Sequence, residues 1–298
     1  MSTHKSGFVN IIGEPNVGKS TLMNALLGDK ISVINSKPQT TRHRIMGIYN
    51  DPEYQIIFSD TPGWIEDPSY KMQEVMNKFS ASTFEDADVL LLIIDVLRES
   101  MEDTNLIHKL TKTNAKKILV LNKIDAATED QVNEALTEWQ SVTTFDFTFK
   151  ISAKEKTGVA ELFSTIKSLL PEGPEYYPKD QITDKPERFF ISEIIRGKIL
   201  ELYHQEIPYS SEVAIEEFKE SELRGEDFVH IRANIFVSRK TQKAILIGKG
   251  GQAIKQLGIH SRKDIEEWLG KRVHLELYVR VAEDWRNNNQ KLKQFGYH

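Results

Sequence analysis

The chain has 298 residues, no cysteine and a net charge of −5, and 39% of its residues are hydrophobic. That length suits two domains, and the hydrophobic content is sufficient for two buried cores. The absence of cysteine excludes disulfides and thiolate metal sites and fits a reducing compartment. The longest apolar run, 89–94, is too short to cross a bilayer, and the first residues lack the apolar core of a signal peptide, so we expect a cytoplasmic protein.

The charge is distributed unevenly along the chain. Residues 228–298 hold 14 Lys and Arg against 6 Asp and Glu, so this end carries +8 and residues 1–227 carry −13. A basic end on an acidic protein indicates a polyanionic partner, such as nucleic acid or an anionic membrane surface. If the charge were the only observation, a solvated charged face without a partner would explain it equally well.

The first half alternates apolar runs with helical stretches, which predicts an α/β fold with a mostly parallel sheet and helices on both faces. The predicted strands are 8–12, 54–58, 89–94, 118–121 and 145–151, and the predicted helices include 20–27, 131–140 and 159–170. The run 44–49 precedes a polar turn and the next strand, so we expect it to be an antiparallel edge strand.

Three prolines and a glycine within 171–178 predict a break in the chain. We therefore predict a first domain at 1–172, a linker at 173–184 and a second domain at 185–298. The second domain is predicted to be a smaller α+β unit with the order α-β-β-α-α-β-α. Its predicted elements are a helix at 187–204, strands at 213–218 and 229–237, helices on either side of Gly258, a strand at 273–281 and a helix at 283–294.

The pattern Gly-x-x-x-x-Gly-Lys-Ser at 13–20 follows a predicted strand and opens a predicted helix, which is the context of a phosphate-binding loop. Backbone N–H groups of such a loop converge on phosphates, Lys19 reaches the β and γ phosphates, and the Ser20 hydroxyl binds Mg²⁺. The residues predicted to bind nucleotide here are Gly13, Glu14, Pro15, Asn16, Val17, Gly18, Lys19, Ser20 and Thr21.

Two segments between this loop and the middle of the chain are predicted to sense the γ-phosphate. Asp-Thr-Pro-Gly at 60–63 follows a strand, so Asp60 can hold Mg²⁺ through a water while the Gly63 amide binds the phosphate; Thr61 and Pro62 complete this segment. The polar stretch 36–43 is predicted to be a first switch, in which we favour Thr41 over Thr40 as the Mg²⁺ ligand. Both threonines could instead begin a strand.

Asn-Lys-Ile-Asp at 122–125 also follows a strand, at the sheet edge where α/β proteins bind ligands. A carboxylate at Asp125 can accept both N–H donors of guanine, which adenine cannot supply. The Lys123 stem can cover the base, Asn122 can join neighbouring loops, and Ser-Ala-Lys at 152–154 can offer the Ala153 amide to guanine O6. The predicted base-binding residues are Asn122, Lys123, Asp125, Ser152, Ala153 and Lys154, and the predicted ligand is GTP with Mg²⁺.

Trp64 occupies the position that follows the Asp-x-x-Gly glycine, where Ras-like GTPases have a glutamine that orients the attacking water. An indole cannot orient water as an amide does, so we expect slow intrinsic hydrolysis. Catalysis is predicted to depend on Lys19, Thr41, Asp60 and Gly63, with Mg²⁺ and backbone N–H groups.

The loop Gly-Lys-Gly-Gly at 248–251 joins two predicted helices in the basic end of the chain. Such a G-x-x-G loop clamps about four nucleotides in KH-type RNA-binding domains, because small residues allow close approach of the backbone. The predicted RNA-binding residues are Gly248, Lys249, Gly250, Gly251 and Lys255. A glycine-rich helix connection on a solvated surface is the alternative.

These motifs together resemble the Era family of bacterial GTPases over nearly the whole length of the chain. The resemblance implies a P-loop GTPase domain followed by a type II KH domain, and a monomer that binds the 3′ region of 16S rRNA during assembly of the small ribosomal subunit. It also implies a peripheral contact with the cytoplasmic face of the membrane. In addition, it implies that a hydrophobic residue such as the one at position 64 is normal for the family.

Four other functions are compatible with parts of the sequence. A membrane-transport regulator would be expected to contain transmembrane spans, and a tRNA-modification GTPase of this kind would end in a catalytic cysteine; the chain has neither. A module that binds GTP without turning it over remains open, as does a GTPase whose basic C-terminal domain binds anionic lipid at the membrane.

Overall fold

The computed structural model describes residues 4–29, 31–35, 37–98, 104–223 and 226–297, without the side chains of 223 and 226. Ser36, the first residue of the predicted first switch, lies outside the described residues. The chain divides into two units. Unit 1 contains Met1–Pro68 and Gln73–Asp184, and unit 2 contains Ser69–Met72 and Lys185–His298.

Unit 1 is built on a six-stranded sheet, as predicted for a mostly parallel α/β fold. The strands are Lys5–Ile12 (β1), Ile45–Asn50 (β2), Tyr54–Asp60 (β3), Val89–Asp95 (β4), Lys116–Asn122 (β5) and Phe147–Lys150 (β6). Their order in the sheet is β2-β3-β1-β4-β5-β6. Only β2 runs antiparallel to its neighbour, which confirms the predicted edge strand. All seven residues of β4 are buried, because both faces of this central strand are covered.

The described residues up to position 184 form five α-helices. They are Lys19–Leu27 (α1), Lys71–Ser82 (α2), Thr104–Lys112 (α3), Glu129–Val142 (α4) and Val159–Leu169 (α5). The sequence predicted α1, α4 and α5 to within two residues, but it did not predict α2 or α3. The apolar face of α2 is short and includes Met72 and Met76, both fully buried, so its pattern is easily overlooked in a polar stretch.

The segment 173–184, predicted as a linker, runs beside the edge of the sheet in unit 1. Its Ile182 carbonyl accepts a hydrogen bond of 2.9 Å from the Ile48 amide, which continues the backbone pairing of β2. The Gln55 side chain accepts hydrogen bonds from the amides of Tyr176 and Tyr177, at 2.6 and 3.0 Å. These contacts hold the segment against unit 1.

Unit 2 is an α+β unit with a three-stranded sheet. Its elements are Glu187–Leu202 (α6), Ile207–Ser210 (α7), Ser211–Leu223 (β7), Glu226–Val237 (β8), Lys240–Ile247 (α8), Gln252–Leu269 (α9), Arg272–Val281 (β9) and Asn289–Gln294 (α10). The strand order is β7-β8-β9, with β7 antiparallel and β9 parallel to β8. This arrangement confirms the predicted order of elements, to which the short α7 is added.

Two predictions for unit 2 were wrong. Helix α9 continues through Gly258 instead of breaking there. A glycine inside a helix costs about 1 kcal/mol relative to alanine, and packing of the helix can offset a cost of this size. The predicted helix at 283–294 is interrupted: Asp284 adopts a φ of 46°, Trp285–Asn287 forms a 3₁₀ turn, and the Asn288 side chain caps α10. The buried Trp285 indole donates a hydrogen bond of 2.9 Å to the Ser210 carbonyl.

Candidate functional site

The loop 13–18 connects the end of β1 to the start of α1, whose first turn contains Lys19 and Ser20. Lys19 is buried, and its ammonium group donates hydrogen bonds to the carbonyls of Gly13 (3.0 Å) and Glu14 (2.6 Å). Burial lowers the pKa of Lys19 to about 8, because the charged form loses its hydration. The loop therefore holds a buried cation whose lost hydration outweighs the attraction of the neighbouring Asp60 and Glu14 carboxylates.

Ser20, Thr41 and Asp60 converge beside this lysine. Oγ of Ser20 donates to Oδ2 of Asp60 at 2.6 Å and lies 3.0 Å from Oγ1 of Thr41, which is itself 3.3 Å from the same carboxylate oxygen. Thr40 instead donates to the Lys37 carbonyl at 2.7 Å. Burial raises the pKa of Asp60. Its Oδ1 is buried without a hydrogen-bond partner among the described residues, so this cluster fits a divalent cation.

Gly63 lies directly against the phosphate-binding loop. A Cβ atom at this position would come within 2.5 Å of the Pro15 nitrogen, so no larger residue fits without a shift of the backbone. The next residue, Trp64, donates its amide to the Gly13 carbonyl at 3.3 Å. Its half-buried side chain packs against the apolar cluster that includes Ile12.

Asn122 joins three loops at the end of β5. Its Nδ2 donates to the Val17 carbonyl at 2.7 Å, and its Oδ1 accepts from the Ala153 amide at 2.9 Å. Lys123 donates to the Asn16 carbonyl at 2.9 Å and forms an ion pair of 2.6 Å with Asp95. The predicted base-binding segments are thereby held against the phosphate-binding loop.

These segments enclose a cleft of about 710 Å³ in unit 1, a volume that suits a small-molecule ligand. The predicted nucleotide-binding residues that line it are Pro15, Asn16, Gly18, Lys19, Ser20, Thr21, Thr41, Thr61, Gly63, Asn122, Lys123, Asp125, Ala153 and Lys154. Three others, Gly13, Glu14 and Val17, line a smaller neighbouring cavity. Asp60, Pro62 and Ser152 line neither cavity.

The sequence did not predict Arg98 as part of the site. This residue also lines the cleft, where it donates to the Pro15 carbonyl at 2.9 Å and lies 3.4 Å from the Asp95 carboxylate. It follows the carboxyl end of β4, the sheet edge at which α/β proteins bind ligands, and that position could have identified it. Val33, Ile34, Asn35, Gln39, Thr40 and Ala126 line the cleft as well.

The second predicted site lies in unit 2, between α8 and α9. Gly250 and Gly251 adopt φ angles of 59° and 76°, which glycine tolerates best, and the Gly251 amide donates to the Gly248 carbonyl at 3.1 Å. Lys249 and Lys255 are exposed on the loop and on the first turn of α9. An exposed isoleucine lies on each flanking helix, Ile245 and Ile259.

The comparisons with known proteins agree with these two sites. Residues 8–123 match the family model described as "50S ribosome-binding GTPase", and residues 206–286 match that of the KH domain. The chain is 43% identical over 296 residues to GTPase Era from Alkaliphilus oremlandii, covering 99% of both proteins. The chain belongs to the Era family of GTPases. Another Era protein, from Lacticaseibacillus paracasei, is 44% identical over 298 residues, which is 100% of this chain and 98% of the relative.

Solved Era structures share the fold of both units. One, described as Era in complex with MgGDPNP and nucleotides 1506–1542 of 16S ribosomal RNA, matches with a TM-score of 0.92 at 38% identity over 99% of each chain. An Era variant from Aquifex aeolicus bound to GDP·AlF₄⁻ matches with a TM-score of 0.91 at 38% identity, over 98% of this chain and 99% of that one. The chain is thus a GTPase with a P-loop domain and a C-terminal KH domain. Within the described ranges, no helix has the length and apolar character needed to span a membrane.

Proposed function

We propose that this Era-family GTPase binds GTP with Mg²⁺, hydrolyses it slowly, and binds the 3′ region of 16S rRNA through its KH domain during assembly of the small ribosomal subunit. The similarity, over 99% of both chains, to an Era structure that holds MgGDPNP and 16S rRNA nucleotides is the observation that carries this proposal. The nucleotide cleft and the glycine loop supply the two binding sites that it requires.

In the proposed complex, Lys19 binds the β and γ phosphates, and loop N–H groups complete the phosphate site. Ser20 and Thr41 would hold Mg²⁺ directly and Asp60 through a water, and the ion would supply positive charge next to the phosphate oxygens. Thr41 is assigned over Thr40 because its hydroxyl already lies 3.0 Å from that of Ser20. Asp125 accepts the two N–H donors of guanine. The Ala153 N–H, which donates to Oδ1 of Asn122 in this structure, would turn from that oxygen to guanine O6 when the nucleotide binds.

Hydrolysis in this proposal depends on positioning and on positive charge. Lys19 and the Gly63 amide stabilise charge on the γ-phosphate, while Thr41 orders the first switch when GTP is present. The Trp64 indole packs against the apolar core and offers no amide to orient the attacking water. Slow intrinsic turnover remains our prediction for this reason.

The proposed RNA site combines the loop 248–251 with the adjacent helix surfaces. Gly248, Gly250 and Gly251 allow close approach of the RNA backbone, and the exposed ammonium groups of Lys249 and Lys255 attract its phosphates. The surplus of positive charge in 228–298 supports a polyanionic partner. We further propose a cytoplasmic monomer that contacts the membrane only peripherally, through the same basic region.

Gly250 offers a direct test, because a Cβ atom there would meet nothing within 4 Å. Aspartate and asparagine both tolerate its left-handed conformation, so Gly250→Asp and Gly250→Asn differ mainly in one negative charge. We expect Gly250→Asp to weaken binding of an RNA with the 3′-terminal 16S sequence by about 10-fold, a loss of roughly 1.4 kcal/mol, and Gly250→Asn to weaken it much less. Fluorescence anisotropy measures both affinities.

Equal RNA affinity in wild type and Gly250→Asp would contradict the assignment of this loop. Vesicles containing anionic lipid test the alternative partner in parallel. Binding to vesicles but not to RNA would replace the ribosomal function with a membrane function for the basic domain.

A further inference from the structure

The sheet of unit 2 carries two adjacent histidines on its open face. Val229 and Ile231 of β8 are fully buried against the helices, so His230 and Arg232, which alternate with them, lie on the opposite face. His274 of β9 is the register partner of His230, and their rings stack with 5.1 Å between centroids.

A carboxylate lies between these imidazoles and a guanidinium group. Oε1 of Glu276 is 3.3 Å from Nε2 of His230 and 3.5 Å from Nε2 of His274. Ligand atoms about 2.0–2.2 Å from a tetrahedral Zn²⁺ ion lie about 3.3–3.6 Å apart, so these distances match two edges of such a site. One ligand atom from each of the three residues lies within 4.8 Å of the other two.

Neighbouring side chains orient the same groups. Oε2 of Glu276 accepts hydrogen bonds of 3.2 Å from Arg232 and from Tyr278, which leaves Oε1 directed at the imidazoles. Oε1 of Glu217 lies 3.8 Å from Nδ1 of His230, on the other side of the ring from Glu276. When a metal ion takes the Nε2 lone pair, the proton of His230 resides on Nδ1 and can be donated to this carboxylate after a small shift, the arrangement found for most metal-binding histidines.

We propose that His230, His274 and Glu276 form a binding site for a divalent transition-metal cation, with Zn²⁺ as the best match. Two imidazoles and one carboxylate are a zinc ligand set that leaves the fourth position open to water or to a further ligand. Mg²⁺ and Ca²⁺ are disfavoured because they prefer oxygen ligands alone. The bound ion joins β8 to β9 and requires neither GTP nor RNA.

The test uses the full chain without a histidine tag, freed of metal by a chelator and kept in excess Mg²⁺ and GDP to fill the nucleotide cleft. Calorimetry with Zn²⁺ should show one equivalent bound, and Co²⁺ should give the visible spectrum of a tetrahedral site. His230→Gln and His274→Gln should each weaken Zn²⁺ binding by at least about 10-fold, and Glu217→Gln by about 10-fold at unchanged stoichiometry. His260→Gln, at an exposed histidine on α9, is the matched control and should bind like wild type.

Thermal unfolding without metal confirms that each variant is folded. The proposal fails if the wild type binds no stoichiometric Zn²⁺, or if His230→Gln and His260→Gln lose affinity equally. The proposal also fails if the histidine variants unfold at a lower temperature than wild type without metal while Zn²⁺ leaves the unfolding temperature of wild type unchanged. The cluster would then be only a network of ion pairs.

Discussion

At the scale of single residues, the nucleotide site holds two buried charges that are incompletely compensated. Burial lowers the pKa of Lys19 to about 8 and raises that of Asp60, and Oδ1 of Asp60 has no hydrogen-bond partner among the described residues. The motifs identified both residues from the sequence. The sequence could not decide between Thr40 and Thr41, because that choice depends on which hydroxyl the loop turns toward Ser20.

The stability of the nucleotide-free protein should depend on pH through Lys19. Its pKa is about 8 in the folded protein and about 10.5 in the unfolded chain, so between these pH values the unfolded chain binds more protons and stability rises with pH. Below pH 8 the full cost of burying the charge is present. The unfolding free energy of wild type minus that of Lys19→Met should therefore increase from pH 8 to pH 10. Urea titrations at several pH values measure it, and a constant difference would contradict the burial of this charge.

Thr41→Ala should reduce GTP hydrolysis much more than Thr40→Ala. Loss of a contact to a charged group costs about 1.5–3 kcal/mol, which corresponds to roughly 10- to 100-fold in rate. The Thr40 hydroxyl donates to the Lys37 carbonyl, so its removal should change the rate by less than about 3-fold. Single-turnover rates with Mg²⁺ decide between the two, and a larger loss in Thr40→Ala would reverse the assignment.

At the scale of elements, the carboxyl ends of parallel strands bring the motifs together. Strands β1, β3 and β5 each end at a predicted binding segment, and the alternation of apolar runs and helices was sufficient to predict this edge. The sequence failed where tertiary contacts override local pattern. Gly258 remains helical inside α9, and burial of Trp285 interrupts the C-terminal helix. Asn122 was expected to join loops, but its partners follow only from the folded geometry.

Asn122→Ala should weaken the site and the fold together. It leaves the Val17 carbonyl and the Ala153 amide without their partner, at a cost of about 1–3 kcal/mol of unfolding free energy. We expect GDP affinity to fall by about 10-fold or more, since each 1.4 kcal/mol is about tenfold. Asn133→Ala is the control, because Asn133 is exposed on α4, does not line the cleft, and its side chain accepts a hydrogen bond from Lys150. Calorimetry and urea unfolding report both effects, and equal behaviour of the two variants would exclude a joining role for Asn122.

At the scale of the whole molecule, the chain combines a nucleotide switch with a basic RNA-binding unit. The unequal charge and the order of motifs predicted this combination. Each motif is a short pattern of neighbouring residues, and the charge of each region is a count, so both can be read from the sequence directly. The coupling between the two units depends on free-energy differences between conformations, which the sequence motifs do not give. We expect GTP to order the described part of the first switch, 37–43, together with 64–71, and thereby to change RNA affinity.

The most direct measurement is the affinity of the 3′-terminal 16S RNA for the protein with GDP and with a non-hydrolysable GTP analogue, together with the affinity of each nucleotide with and without RNA. If the two units are coupled, the RNA affinity measured with the GTP analogue differs from that measured with GDP by some factor. Because linkage is reciprocal, RNA must change the ratio of analogue affinity to GDP affinity by the same factor. A ratio of one in both experiments would contradict the coupling and leave a GTPase and an RNA-binding domain that act independently.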